Sequence, residues 1–62
     1  MNSIFDEIYD FVLEQSTATR QQIIAELADF DEVEVIKELN RMLANGSLGR
    51  LTTENEVLYY VY

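Results

Sequence analysis

The sequence predicts an α+β fold: three helices followed by a β-hairpin. Three observations carry this. Apolar residues recur at the 3.6-residue period of a helix in three separate segments before residue 46. The second and third segments open on capping patterns, and the third stops at Asn45-Gly46. Beyond Gly46 the pattern changes to β-formers in two-residue alternation. The chain has 62 residues and is read as one domain over 1–62. A chain of that size buries only about 60% of its unfolded surface, so its core must be used fully.

The first helix is expected over residues 3–15. Ser3 can cap it, and Asp6 and Glu7 lie in its first turn, at the positive end of the helix dipole. Ile4, Ile8, Phe11 and Val12 form its inward stripe, flanked by Phe5 and Tyr9. Glu7, Asp10 and Glu14 fall at i, i+3 and i+7 on its outer face, with no Lys or Arg in the helix to relieve them. Like charges at this spacing cost roughly 0.2–0.5 kcal/mol per pair. Residues 16–19 break the period and read as a loop or a strand of two or three residues.

Thr19 and Gln22 form a capping box for a second helix from about 20 to 28, with Ile23, Ile24 and Leu27 inward. Phe30 precedes Asp31, the cap of the third helix, and Glu34 completes a second box. Val35, Ile36, Leu39, Met42 and Leu43 form that helix's inward face, and Asn45-Gly46 supplies left-handed residues that end it. Segments 48–53 and 56–62 read as a hairpin around the turn 53–56. Val57, Tyr59 and Val61 face one side of the last strand; Leu58, Tyr60 and Tyr62 face the other. One face packs on the helices. The other is expected to be partly exposed unless another chain or segment covers it.

Charge narrows the function. Twelve acidic residues oppose four basic ones, for a net charge of −8. Such a chain repels phosphate and favours basic partners, and the same charge serves solubility. His and Cys are absent, so the usual acid–base and thiolate chemistry has no side chain to use. Ser3, Ser16 and Ser47 sit at caps and turns, where serine is ordinary. Residues 29–34 lack the third oxygen ligand and the glycine of a calcium loop. Gly46-Ser-Leu-Gly49 matches an RNA-clamping G-x-x-G, but it leads into strands and holds no basic residue. The chain is therefore read as a non-enzyme without metal or cofactor. Its apolar runs fall short of the roughly 18 residues of a membrane span. Its first residues lack a basic signal-peptide start. A cytoplasmic protein is expected.

The order helix, short strand, helix, helix, hairpin resembles the winged helix-turn-helix family over nearly the whole chain. Thr19-Arg-Gln-Gln-Ile-Ile-Ala-Glu-Leu27 looks like the family's second helix. Val35, Leu39 and Met42 before Asn45-Gly46-Ser-Leu48 look like the third helix running into the wing, and Tyr59-Tyr60-Val61 looks like the last wing strand. The resemblance implies a winged-helix fold whose third helix enters the DNA major groove. Glu32, Glu34, Lys37, Glu38, Asn40 and Arg41 would then face the groove, with Arg50 on the wing. The charge departs from that pattern. Asp31, Glu32, Glu34 and Glu38 oppose Lys37 and Arg41 on the helix, and Glu54 and Glu56 oppose Arg50 on the wing. Phosphate contacts need Lys or Arg. Glu34 and Glu38 each lie three residues before a cation, so helix ion pairing accounts for Lys37 and Arg41.

Two function classes follow. The leading expectation is a binding module for a protein with a basic surface. Its candidate surfaces are the acidic face of Glu7, Asp10 and Glu14, continued by Glu26 and Asp29, and the last strand with Leu58, Tyr60 and Tyr62. That strand could pair edge to edge with a second copy. In a sharper form, the acidic array imitates a nucleic-acid backbone and inhibits a nucleic-acid-binding protein. The alternative is a dimeric DNA-binding transcriptional regulator using Lys37, Asn40, Arg41 and Arg50.

Overall fold

A computed structural model describes residues 3–62; residues 1 and 2 of the expected 1–62 domain lie outside the described residues. The elements run α1 (Ile4–Gln15), β1 (Thr17–Thr19), α2 (Arg20–Glu26), α3 (Glu32–Ala44), β2 (Gly49–Thr52) and β3 (Val57–Tyr60). The chain is α+β, as its residue pattern predicts. The strands form one antiparallel sheet in the order β1-β3-β2.

The caps explain most boundaries. The Ser3 hydroxyl accepts from the Asp6 N–H at 3.2 Å and starts α1. At its end Ser16 takes φ 70°, ψ −47°, turning the chain straight into β1. Ser16 is the one non-glycine residue with positive φ among the described residues. The expected capping box of α2 is present: Gln22 N–H donates to the Thr19 hydroxyl at 3.1 Å, and Thr19 N–H to Gln22 Oε1 at 2.9 Å.

Helix α2 ends at Glu26, two residues before the expected 28. Its last turn tightens instead, with Phe30 N–H donating to the Leu27 carbonyl at 2.9 Å.

The box expected at α3 is not formed. Asp31 Oδ1 accepts from Val33 N–H at 2.9 Å, one residue earlier than a box requires. Glu34 turns to Lys37, 3.8 Å away. The stop of α3 also differs in detail. Asn45 keeps negative φ, and Gly46 alone is left-handed, at φ 83°. Ser47 N–H donates to the Met42 carbonyl at 2.8 Å and Gly46 N–H to Leu43 at 3.4 Å. This is the Schellman pattern, which satisfies carbonyls the helix end leaves free.

The core draws on every element but the outer part of the hairpin. Ile8 and Val12, Ala18, Ile23 and Leu27, Val35, Leu39 and Met42, Leu48 and Tyr59 are buried together, and no polar or charged residue is buried among the described residues. Ile36 and Leu43, expected inside, are half-buried at the margin.

Strand order changes the reading of the tyrosine strand. β3 lies in the centre, with Tyr60 between Thr17 and Gly49, and Leu58 between Thr19 and Leu51. Both of its edges are taken, so the edge-to-edge pairing expected of it has no free hydrogen-bonding row. Leu58 and Tyr60 are half-buried; Tyr62 stays 79% exposed. The Tyr60 ring lies across Gly49, where any Cβ would fall inside it. Tyr62 meets Tyr60 edge-on at 5.5 Å between ring centroids.

Candidate functional site

The acidic face has a definite shape. Packing Ile8 and Val12 of α1 against Ile23 and Leu27 of α2 brings the outer flanks of the two helices together. Glu7, Asp10, Glu14 and Glu26 then line one shallow depression of about 190 Å³, with Phe11 and Gln15. Glu7 and Phe11 are half-buried and the other four are exposed. Among the described residues no Lys or Arg lines it. Helical spacing collects Glu7, Asp10 and Glu14 on one face, and Glu26 joins them through tertiary packing. Asp29 is not part of the lining. No group of acidic side chains among the described residues has the arrangement of a metal site.

Helix α3 presents a different surface. Val33 is 57% exposed, and Lys37, Asn40 and Arg41 are exposed beside it. Lys37 pairs with Glu34 at 3.8 Å and Arg41 with Glu38 at 3.3 Å. The exposed Lys37–Glu34 pair contributes about 0.3–0.5 kcal/mol and yields readily to a competing partner. Glu38 departs from its expected groove-facing place. Its side chain is only 17% exposed. Arg50 is exposed on β2 and has no ion-pair partner among the described residues.

One contact was not foreseen from the residue pattern. Arg20 Nη2 donates to the Tyr59 hydroxyl at 3.2 Å. Tyr59 is wholly buried, so its hydroxyl needs a partner, and the first residue of α2 supplies it. The available signal was a tyrosine, where phenylalanine would do, at an inward position of the last strand. Beside this contact, Thr19, Arg20, Gln21 and Ile24 face Asn55, Glu56 and Val57 across an open cleft of about 310 Å³.

Among the described residues no helix is long and apolar enough to cross a membrane. No family model matches the chain, and no curated protein or solved structure matches it significantly.

Proposed function

We propose that this chain is a small winged-helix module that binds a protein with a basic surface. The element order and the three-stranded sheet are compatible with a winged-helix layout. The observation that carries the binding reading is the α1–α2 depression, where Asp10, Glu14 and Glu26 converge and no Lys or Arg of the described residues lines the wall. Like charges held together cost stability in the free protein. A cationic surface docking there removes that repulsion, and the gain adds to its own attraction. At low salt, long-range attraction from the −8 chain also speeds the encounter. A nucleic-acid-binding protein is the sharper class of partner, because its phosphate-binding groove is built to receive a row of negative groups.

The test compares two variants of equal charge. Asp10→Lys/Glu14→Lys and Glu32→Lys/Glu54→Lys change net charge by the same amount, the first inside the depression and the second outside it. Binding to an arginine-rich peptide is measured by fluorescence anisotropy at physiological salt. The reading requires the first variant to lose at least about tenfold more affinity, or about 1.4 kcal/mol. Equal losses reduce the acidity to a general field and refute it.

A second reading has an observation of its own: Lys37, Asn40 and Arg41 are exposed together on α3. It makes the chain a DNA-binding regulator acting as a dimer. Anisotropy with random-sequence duplex DNA at low salt decides it, since low salt is most permissive for an electrostatic binder. Binding that falls steeply with salt and is lost in Lys37→Ala/Arg41→Ala favours this reading over the first.

A further inference from the structure

We infer that the free edge of β2 is the seat of a second copy of this chain, joined strand to strand about a two-fold axis at Leu51. The inference does not depend on what the acidic depression or α3 binds.

The hydrogen-bond phase of the hairpin shows which groups are free. Thr53 N–H donates to the Glu56 carbonyl, so 53 and 56 are a bonded pair. Bonded and non-bonded pairs alternate along an antiparallel ladder. Leu51 and Gly49 therefore point their backbone groups at Leu58 and Tyr60, while Arg50 and Thr52 point theirs away from the sheet. The opposite edge of the sheet is not equivalent. There Thr19 N–H is taken by Gln22 within the capping box. β2 is thus the edge that offers a consecutive outward row.

Register follows from charge. Pairing centred on Arg50 sets Arg50 against its own copy, which like charges disfavour. Pairing centred on Thr52 carries the ladder into the turn. Pairing centred on Leu51 sets Arg50 opposite the partner's Thr52 and uses both outward residues, each pair exchanging its two N–H···O bonds. Leu51, 51% exposed in the single chain, then meets the partner's Leu51 at a close non-bonded position. Arg50 then lies beside the partner's turn, which carries Glu54. Neither residue has an ion pair among the described residues. The apolar outer faces of the two sheets, with Leu51, Leu58 and Tyr60, become one surface. The acidic depressions sit on other elements, and at physiological salt the net charges are screened beyond about 8 Å.

The absence of cysteine makes the test clean. Leu51→Cys places two thiols face to face at a separation a disulfide spans. Val33→Cys on α3 is the control, exposed to the same degree but off the interface. Under mild oxidation at equal concentration, Leu51→Cys should form the linked dimer about tenfold faster. Equal rates overturn the inference. Arg50→Glu in the Leu51→Cys background should slow linkage, and adding Glu54→Arg should restore it. A double swap as slow as the single one overturns the register. Both cysteines replace residues more than half exposed, so loss of folding does not obscure the comparison.

Discussion

Replacing Gly49 with alanine tests the packing of the outer sheet face. A methyl group at Gly49 would lie inside the Tyr60 ring, so the ring must leave. A tyrosine typically buries 150–250 Å². Losing about a quarter of that, roughly 50 Å², costs on the order of 1 kcal/mol at 25 cal/mol per Å². Alanine in place of glycine in a strand returns about 0.5–1 kcal/mol when nothing is displaced. Some ring strain adds to the cost in the intact chain, so Gly49→Ala should destabilise it by about 1 kcal/mol. With Tyr60→Thr already present, the same substitution should be neutral or stabilise by about 0.5 kcal/mol. The coupling between the two sites is then at least about 1 kcal/mol, well beyond the additivity of independent sites. Urea unfolding of the four proteins followed by circular dichroism measures it. An identical effect of Gly49→Ala in both backgrounds would refute the close approach of Tyr60 to Gly49.

Four further outcomes follow. Thr19→Ala removes one half of the capping box and should cost about 1–2 kcal/mol, while Asp31→Ala, whose partner is a single N–H, should cost about 1 kcal/mol. Ser16→Gly should raise stability by about 1 kcal/mol, because Ser16 is held at φ 70° where glycine is unstrained; lower stability by denaturant melt would contradict this. Tyr59→Phe should cost about 0.5–1.5 kcal/mol, with no further loss when Arg20→Ala is added, as a double-mutant cycle will show. Sodium chloride should raise the Tm by about 4–8 °C for each kcal/mol of relieved repulsion, since a chain of net charge −8 repels itself more when folded than when extended; a Tm that falls with salt would mean that the ion pairs dominate.

Residue pattern alone determined a good deal here. The three helices, the Ser3 cap, the Thr19–Gln22 box, the stop at Gly46 and the inward Ile8, Val12, Ile23 and Leu39 all follow from local rules. Caps and helix periods are set by groups within four residues of each other, so the order of residues states them directly. Glu7, Asp10 and Glu14 were legible as one face for the same reason.

Tertiary structure decided the rest. Glu26 joins the acidic face because α2 packs on α1. Tyr59 finds Arg20 across 39 positions. Glu38 is mostly covered, and Asp31 and Glu34 part company although their spacing fits a box. The largest revision is the place of β3. Its residues would suit a hairpin edge equally well, and only the return of β1 to pair Thr17 with Tyr60 makes it central. Pairing between segments some forty residues apart depends on how the helices fold the chain back. The alternation of side chains states which faces are apolar, but not which edge of a strand is left open.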